Sequence, residues 1–393
     1  MNSFTFQIPT EIVFGKDSEA LTASLVRKYK GSRVMIVYGG GSAVRSGLLE
    51  RICSQFDEAG LAYETLGGVH PNPHLDFARE GVKKAIGWGA DFFLAVGGGS
   101  VIDTAKAMAI GTANPDTDLW KFWTKEETVT GSLPVGVILT IPAAGSETSD
   151  SAVLTNMENG AKRGLSTPFN RPAFAVMNPE LTYTLPAYQA ACGVVDIMMH
   201  TMDRYFNPVT DNQLTDEIAE ALLRTAIHNG TIAVKNSHDY GAMSELMWCG
   251  SLSHNGLTGL GGRKDFAPHQ LGHELSAMFD VAHGASLSAI WGSWARYVYK
   301  TDVARFARFA ASVWGIRGAS EEAAAIAGIH AAEEYFTSLG MPISFSGLGI
   351  GLQPDEVLHE LALRCTYSRT RKVGTFQVLD EADLYEIYKA ANV

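Results

Sequence analysis

A doubly wound, mainly parallel α/β domain over residues 1–187, followed by an all-α domain over residues 188–393, is the fold the sequence predicts. Three observations predict it. Two apolar runs of strand length, Val34-Met35-Ile36-Val37-Tyr38 and Phe92-Phe93-Leu94-Ala95-Val96, each lead straight into a glycine cluster. Unbroken apolarity over so short a run marks a strand covered on both faces, as parallel strands are. Strand-like and helix-like segments alternate up to about Pro186, and beyond it helical periodicity takes over, as in 213–228 and 302–314.

The elements follow in order. Phe4 to Phe14 alternates apolar and polar residues around Pro9-Thr10, which predicts a hairpin ending at Gly15. Asp17 or Ser18 is expected to cap a helix that runs to about Lys30. After the strand at 34–38 come a polar helix to Gly60, a strand near Tyr63–Leu66, a loop at Pro71-Asn72-Pro73 and a helix near 75–86. The strand at 92–96 precedes a helix over 101–110, for which Ser100 and Asp103 fit a capping box. Further strands are expected at 136–141 and 174–177.

Composition narrows the function. At 393 residues the chain exceeds the size of one hydrophobic core, so two domains are expected, with a cleft between them. A net charge of −11 leaves no basic surplus for nucleic acid or anionic lipid, which points to small molecules or copies of the chain as partners. Met1-Asn2-Ser3-Phe4-Thr5-Phe6-Gln7 has no basic and apolar leader pattern, and no apolar run approaches the ~20 residues of a membrane helix. A cytoplasmic location is expected. Cys53, Cys192, Cys249 and Cys365 lie far apart, suggesting neither a disulfide framework nor a thiolate metal site.

Gly97-Gly98-Gly99-Ser100 stands between a strand and a helix, where the backbone can approach a pyrophosphate and the helix N-terminus offers free N–H groups. Gly39-Gly40-Gly41-Ser42 repeats the arrangement. Neither matches G-x-G-x-x-G, because Ile102 and Val44 occupy the third glycine position. Either loop alone could be a tight turn; two of them after buried strands point to a dinucleotide. A carboxylate at the end of the strand would bind a ribose 2′-hydroxyl and repel a 2′-phosphate. None follows Tyr38, while Ser42 and Arg45 stand nearby, so NADP is expected over NAD.

In the second half, Asp196 and His200 are four residues apart in an apolar helical stretch, and helical spacing puts them on one face. His269 and His273 repeat that spacing, and His283 follows. A carboxylate and up to three imidazoles suit zinc or iron. The bland alternative is a helix-surface pair plus histidines satisfied in the core.

Taken whole, the chain resembles the iron-containing (group III) alcohol dehydrogenase family, most of all its NADP-dependent butanol dehydrogenase and broad-range aldehyde reductase branch. The resemblance rests on 9–15 (PTEIVFG), 97–106 (GGGSVIDTAK), 140–147 (TIPAAGSE) and 339–342 (LGMP), spread over nearly the full length. It implies a dinucleotide-binding domain, a helical metal-binding domain and a homodimer. It places metal ligands on Asp196, His200, His269 and His283, and a cleft histidine on His273. It places adenosine contacts on Gly39, Gly40, Gly41 and Ser42, and phosphate contacts on Gly98, Gly99, Ser100 and Asp103. Thr140, Ser146 and Lys162 would lie on the nicotinamide side, although Lys162 could equally be a solvated charge. Where other members carry an Asp after the first strand, this chain has glycine, which removes support for NAD.

The expected chemistry is hydride transfer between NADP(H) and a carbonyl polarised by one divalent ion, Fe²⁺ or Zn²⁺, with His273 as proton relay. The expected substrates are small aldehydes and alcohols such as butanal and butanol. Two rivals remain. An NAD-dependent polyol dehydrogenase of the glycerol type would favour vicinal diols, and a metal-dependent hydrolase would use the glycine loops for a nucleotide or sugar phosphate.

Overall fold

The structure is a computed structural model that describes residues 1–393. It divides into two compact units, one of Gln7–Leu185 with Ser237–Ser251, the other of Met1–Phe6, Pro186–Asn236 and Leu252–Val393. The change of unit after Leu185 lies beside the expected 187/188 boundary. Ser237–Ser251 joins the first unit because Met247 is buried in the same apolar cluster as Met35 and Phe93.

The first unit holds strands β1 (Glu11–Phe14), β2 (Arg33–Tyr38), β3 (Ala62–Leu66), β4 (Phe92–Gly97), β5 (Val135–Leu139), β6 (Ser151–Asn156), β7 (Ala161–Ser166) and β8 (Phe174–Met177). Its helices are α1 (Thr22–Lys28), α2 (Ser42–Arg45), α3 (Leu48–Ala59), α4 (Leu75–Trp88), α5 (Gly99–Ala113) and α6 (Leu119–Trp123). Six strands form one sheet in the order β1-β8-β5-β4-β2-β3, and every pairing in it is parallel. Met35, Val37, Phe93 and Ala95 pack into one core, and Val34, Ile36, Phe92 and Leu94 into another on the opposite face. That two-sided burial is why these strands read as unbroken apolar runs.

The sheet grows from β2 to β3 on one side and from β4 through β5 to β8 on the other. The strand order therefore reverses between β2 and β4. Crevices of this kind, at the carboxyl ends of the strands, are where open α/β sheets bind ligands.

Three expectations are corrected, and one element is new. No hairpin forms at Phe4–Phe14: only Glu11–Phe14 is a strand, in parallel register with Phe174–Met177, because period-two alternation marks a strand without naming its partner. Asp17 caps nothing through its side chain; it sits at φ 56°, and a 3-10 turn at Ser18–Leu21 precedes α1. The capping box of Ser100 and Asp103 is absent, since α5 begins at Gly99 with Gly98 as its N-cap and no side-chain cap. The antiparallel pair β6–β7 was not expected from the sequence.

The remaining helices are α7 (Ala187–Tyr205), α8 (Gln213–Lys235), α9 (Tyr240–His254), α10 (Ala267–Phe279), α11 (His283–Val298), α12 (Val303–Trp314), α13 (Glu321–Ser338), α14 (Asp355–Cys365) and α15 (Glu381–Ala391). Residues 193–205 of α7 are buried throughout, which makes it the central helix of the second unit. No helix is long and apolar enough to cross a membrane.

Candidate metal centre and cofactor cradle

Asp196 and His200 lie one turn apart on α7, in a segment buried along its length, so neither is a helix-surface group. His200 Nε2 stands 3.3 Å from Asp196 Oδ1. The first turn of α10 brings His269 Nε2 to 3.6 Å from the same oxygen, and the first residue of α11 brings His283 Nε2 to 3.9 Å. Ligand atoms of Asp196, His200 and His269 all fall within 4.8 Å of one another. Donors at 2.0–2.2 Å from a tetrahedral ion would stand about 3.4 Å apart. Asp196 Oδ1 and His269 Nε2 are buried and make no hydrogen bond. Buried polar atoms are normally paired, and two orphans facing one point fit a cation.

The surroundings prepare these side chains. His269 Nδ1 contacts the buried carboxylate of Asp203, which fixes the ring and leaves Nε2 for the common point. Burial opposes charge on His269, but the Asp203 and Asp196 carboxylates outweigh it and raise its pKa above the ordinary imidazole value. On His200, burial and then the neighbouring His254 and His269 push the pKa well below that value. A neutral imidazole is the form that binds metal. The Phe266 ring lies 6.1 Å from that of His200 and 5.2 Å from that of His269. Phe266 holds a left-handed φ of 58° immediately before α10, a costly conformation for an aromatic residue. His273 lies one turn beyond His269, 9% exposed, with its ring 5.2 Å from that of His283.

Asp203 and His254 were missed in the sequence. Asp203 had a signal, since 196, 200 and 203 share the spacing of one helix face. His254 ends α9 with Nδ1 2.9 Å from His200 Nε2, and nothing in its local sequence announces that contact.

In the first unit, Gly39–Ser42 follows β2 and Gly98–Ser100 follows β4, at the two sides of the sheet's switch point. A Cβ on Gly98 would sit 2.1 Å from Ile141 Cγ2, and one on Gly97 2.6 Å from Val101 Cγ2, so this turn closes only with glycine. Gly41 takes φ +110°, and a Cβ there would meet the Arg45 guanidinium at 3.1 Å. Thr140 donates its N–H to the Gly97 carbonyl at 3.2 Å, which sets it beside the loop. Gly99 lies against Ala144, and Gly39 against Val101. Asp103 accepts from Ser146 Oγ and, at 2.8 Å, from the Val153 N–H. Lys162 on β7 is 4% exposed and donates to Asn72 Oδ1 at 2.8 Å, which excludes the solvated-charge reading.

Beneath this loop the fully buried Lys106 donates to the Ser146 carbonyl at 2.6 Å and the Ser151 carbonyl at 2.8 Å. Burial lowers its pKa to about 8, against the pull of Asp103 and Glu147. The sequence analysis gives it no role beyond its place in the 97–106 run.

A parallel sheet with glycine turns at its switch point, and a buried carboxylate with three imidazoles on helices, define the class: a dinucleotide-type α/β fold with a helical unit whose side chains could hold a metal ion. The chain belongs to the iron-containing alcohol dehydrogenase family of oxidoreductases. The model "Iron-containing alcohol dehydrogenase" matches residues 9–179, and "Fe-containing alcohol dehydrogenase family, C-terminal" matches 190–392. The chain is 38% identical over 391 residues to NADH-dependent butanol dehydrogenase A of Clostridium acetobutylicum, covering 99% of each. To the NADPH-dependent aldehyde reductase YqhD of Escherichia coli it is 35% identical, covering 89% of this chain and 90% of the relative. The crystal structure of NADH-dependent butanol dehydrogenase A from Thermotoga maritima superposes with a TM-score of 0.95 at 32% identity, covering 100% of this chain and 99% of the other.

Proposed function

We propose that this chain interconverts small aldehydes and primary alcohols, butanal and butanol among them, using NADP(H) and one divalent ion, Fe²⁺ or Zn²⁺. Asp196, His200, His269 and His283 would hold the ion. The observation that carries the reading is the convergence of these side chains, with two orphaned buried donor atoms among them. When bound, the ion polarises a carbonyl oxygen as a Lewis acid and the nicotinamide supplies or accepts the hydride.

The chain's own part is binding and orientation. One carboxylate and three neutral imidazoles balance only half of a divalent charge, which leaves electrostatic pull for a substrate oxygen. Asp203 keeps His269 in the tautomer that presents Nε2. Gly98, Gly99 and Ser100, with the α5 N-terminus, would cradle the phosphates, and Asp103 holds Ser146 beside that loop. Gly39, Gly40, Gly41 and Ser42 would receive the adenosine end. Thr140, Ser146 and Lys162 are assigned to the nicotinamide side and His273 to proton transfer to or from the substrate oxygen. Location in the cytoplasm and a homodimeric state complete the reading.

Preference for NADP over NAD rests on the lack of a carboxylate at the end of β2 and on the Arg45 guanidinium close to Gly41. Of the three relatives named above, two bear NADH-dependent names and one an NADPH-dependent name. Steady-state kinetics of butanal reduction with each cofactor tests the proposal. A higher kcat/KM with NADPH supports it, a clear NADH preference overturns the cofactor assignment, and no nicotinamide oxidation with any aldehyde overturns the activity. Elemental analysis of His269→Ala and His283→Ala tests the ligands; stoichiometric metal in either variant removes that residue from the set.

A further inference from the structure

His254 stands outside the ligand set, yet it touches it. Its Nδ1 is 2.9 Å from His200 Nε2, and the two ring centroids are 3.8 Å apart at 56°. The same Nε2 is the His200 atom that faces Asp196 Oδ1 at 3.3 Å, which makes it the nitrogen the proposed centre would use. His200 sits in a buried turn of α7, while His254 is half-buried at the end of α9. The shared hydrogen bond engages Nε2 in either tautomer: the nitrogen accepts through its lone pair, or it donates its proton and has no lone pair to offer. An ion cannot bind Nε2 until that bond is given up. His254 is absent from the group whose donor atoms lie within 4.8 Å of one another, so it is not placed as a further ligand of the same point.

We propose that His254 is a positioning residue that holds His200 in the metal-free chain and competes with the metal for its Nε2, weakening metal affinity and keeping the centre exchangeable. The proposal rests on the reading of Asp196, His200 and His269 as metal ligands. Breaking one neutral hydrogen bond on loading should weaken binding by about two- to tenfold, the usual net worth of such a bond.

The test uses the full-length chain stripped of metal, with Zn²⁺ and Co²⁺ affinities measured by chelator competition. His254→Leu removes the bond, and His254→Ser keeps a polar side chain too short to reach. Either variant, shown folded by circular dichroism, is expected to bind both ions about two- to tenfold more tightly than the parent chain. His254→Asn places an amide nitrogen close to the lost Nδ1 and is expected to return the parent affinity. Unchanged affinity in folded Leu or Ser variants overturns the proposal, and so does weaker affinity, which would make His254 a ligand. If the unsubstituted chain takes up no ion, or if His200→Ala binds as tightly as the parent, it is the underlying metal assignment that fails. One-to-one binding lost in His200→Ala but indifferent to position 254 defeats this inference alone.

Discussion

Replacing Asp203 with Asn should loosen the proposed metal centre without touching a proposed ligand. Asp203 is 1% exposed and contacts His269 Nδ1, so its carboxylate holds the ring by a charge-assisted hydrogen bond shielded from water. Such bonds contribute about 1.5–3 kcal/mol. At about 1.4 kcal/mol per factor of ten, the loss corresponds to roughly 10- to 150-fold in metal affinity. Asn keeps the shape, but it removes the charge, and its NH₂ group can turn toward Nδ1. That orientation favours the tautomer with a proton on Nε2, which cannot bind an ion. Zn²⁺ competition against a chromophoric chelator is the assay, with thermal melting to show that the variant folds. A folded Asp203→Asn chain whose affinity lies within twofold of the parent would refute the reasoning, because His269 would then need no orienting partner.

Lys106→Met leaves the buried Ser146 and Ser151 carbonyls without this donor and should destabilise the first unit by about 1–3 kcal/mol, as measured by urea unfolding; an unchanged stability contradicts it. Burial lowers Lys106 to about 8 from the ordinary 10.5, so between those values the unfolded chain binds more protons and this group makes stability rise with pH. The stability gap between parent and Lys106→Met should widen from pH 8 to 10.5, and a constant gap would remove the assignment. Gly98→Ala forces a Cβ against Ile141 and should cost about 1–3 kcal/mol while weakening NADPH binding by fluorescence titration; unchanged melting and affinity would count against the cradle. His273→Ala should lower turnover while metal content stays intact, and unchanged turnover would take it out of the proton path.

Much of the site was legible because its signals are local. Asp196 and His200 announce themselves through one helical turn, as His269 and His273 do, and the glycine turns follow strands that apolar continuity exposes. Asp203 was legible in principle, by the same helical arithmetic. His254 was not: 54 positions separate it from His200, and no periodicity encodes which face of one helix meets which face of another. Lys106 was hidden differently. A lysine on a helix is ordinarily solvated, and only the fold shows Nζ enclosed by the carbonyls of Ser146 and Ser151.

By itself, the sequence determined the βα rhythm, the parallel sheet, the helical second half and the residue types of the centre, because hydrophobic period and spacing act within a few residues of each other. Tertiary structure alone decided that β1 pairs with β8 and not in a hairpin, and that Asp103 bonds Ser146 and Val153 and does not cap its helix. It also decided that three helices bring His200, His269 and His283 to one aspartate oxygen. Each of these joins segments far apart in the chain, and such pairings depend on how whole elements pack, a property no short window of residues contains.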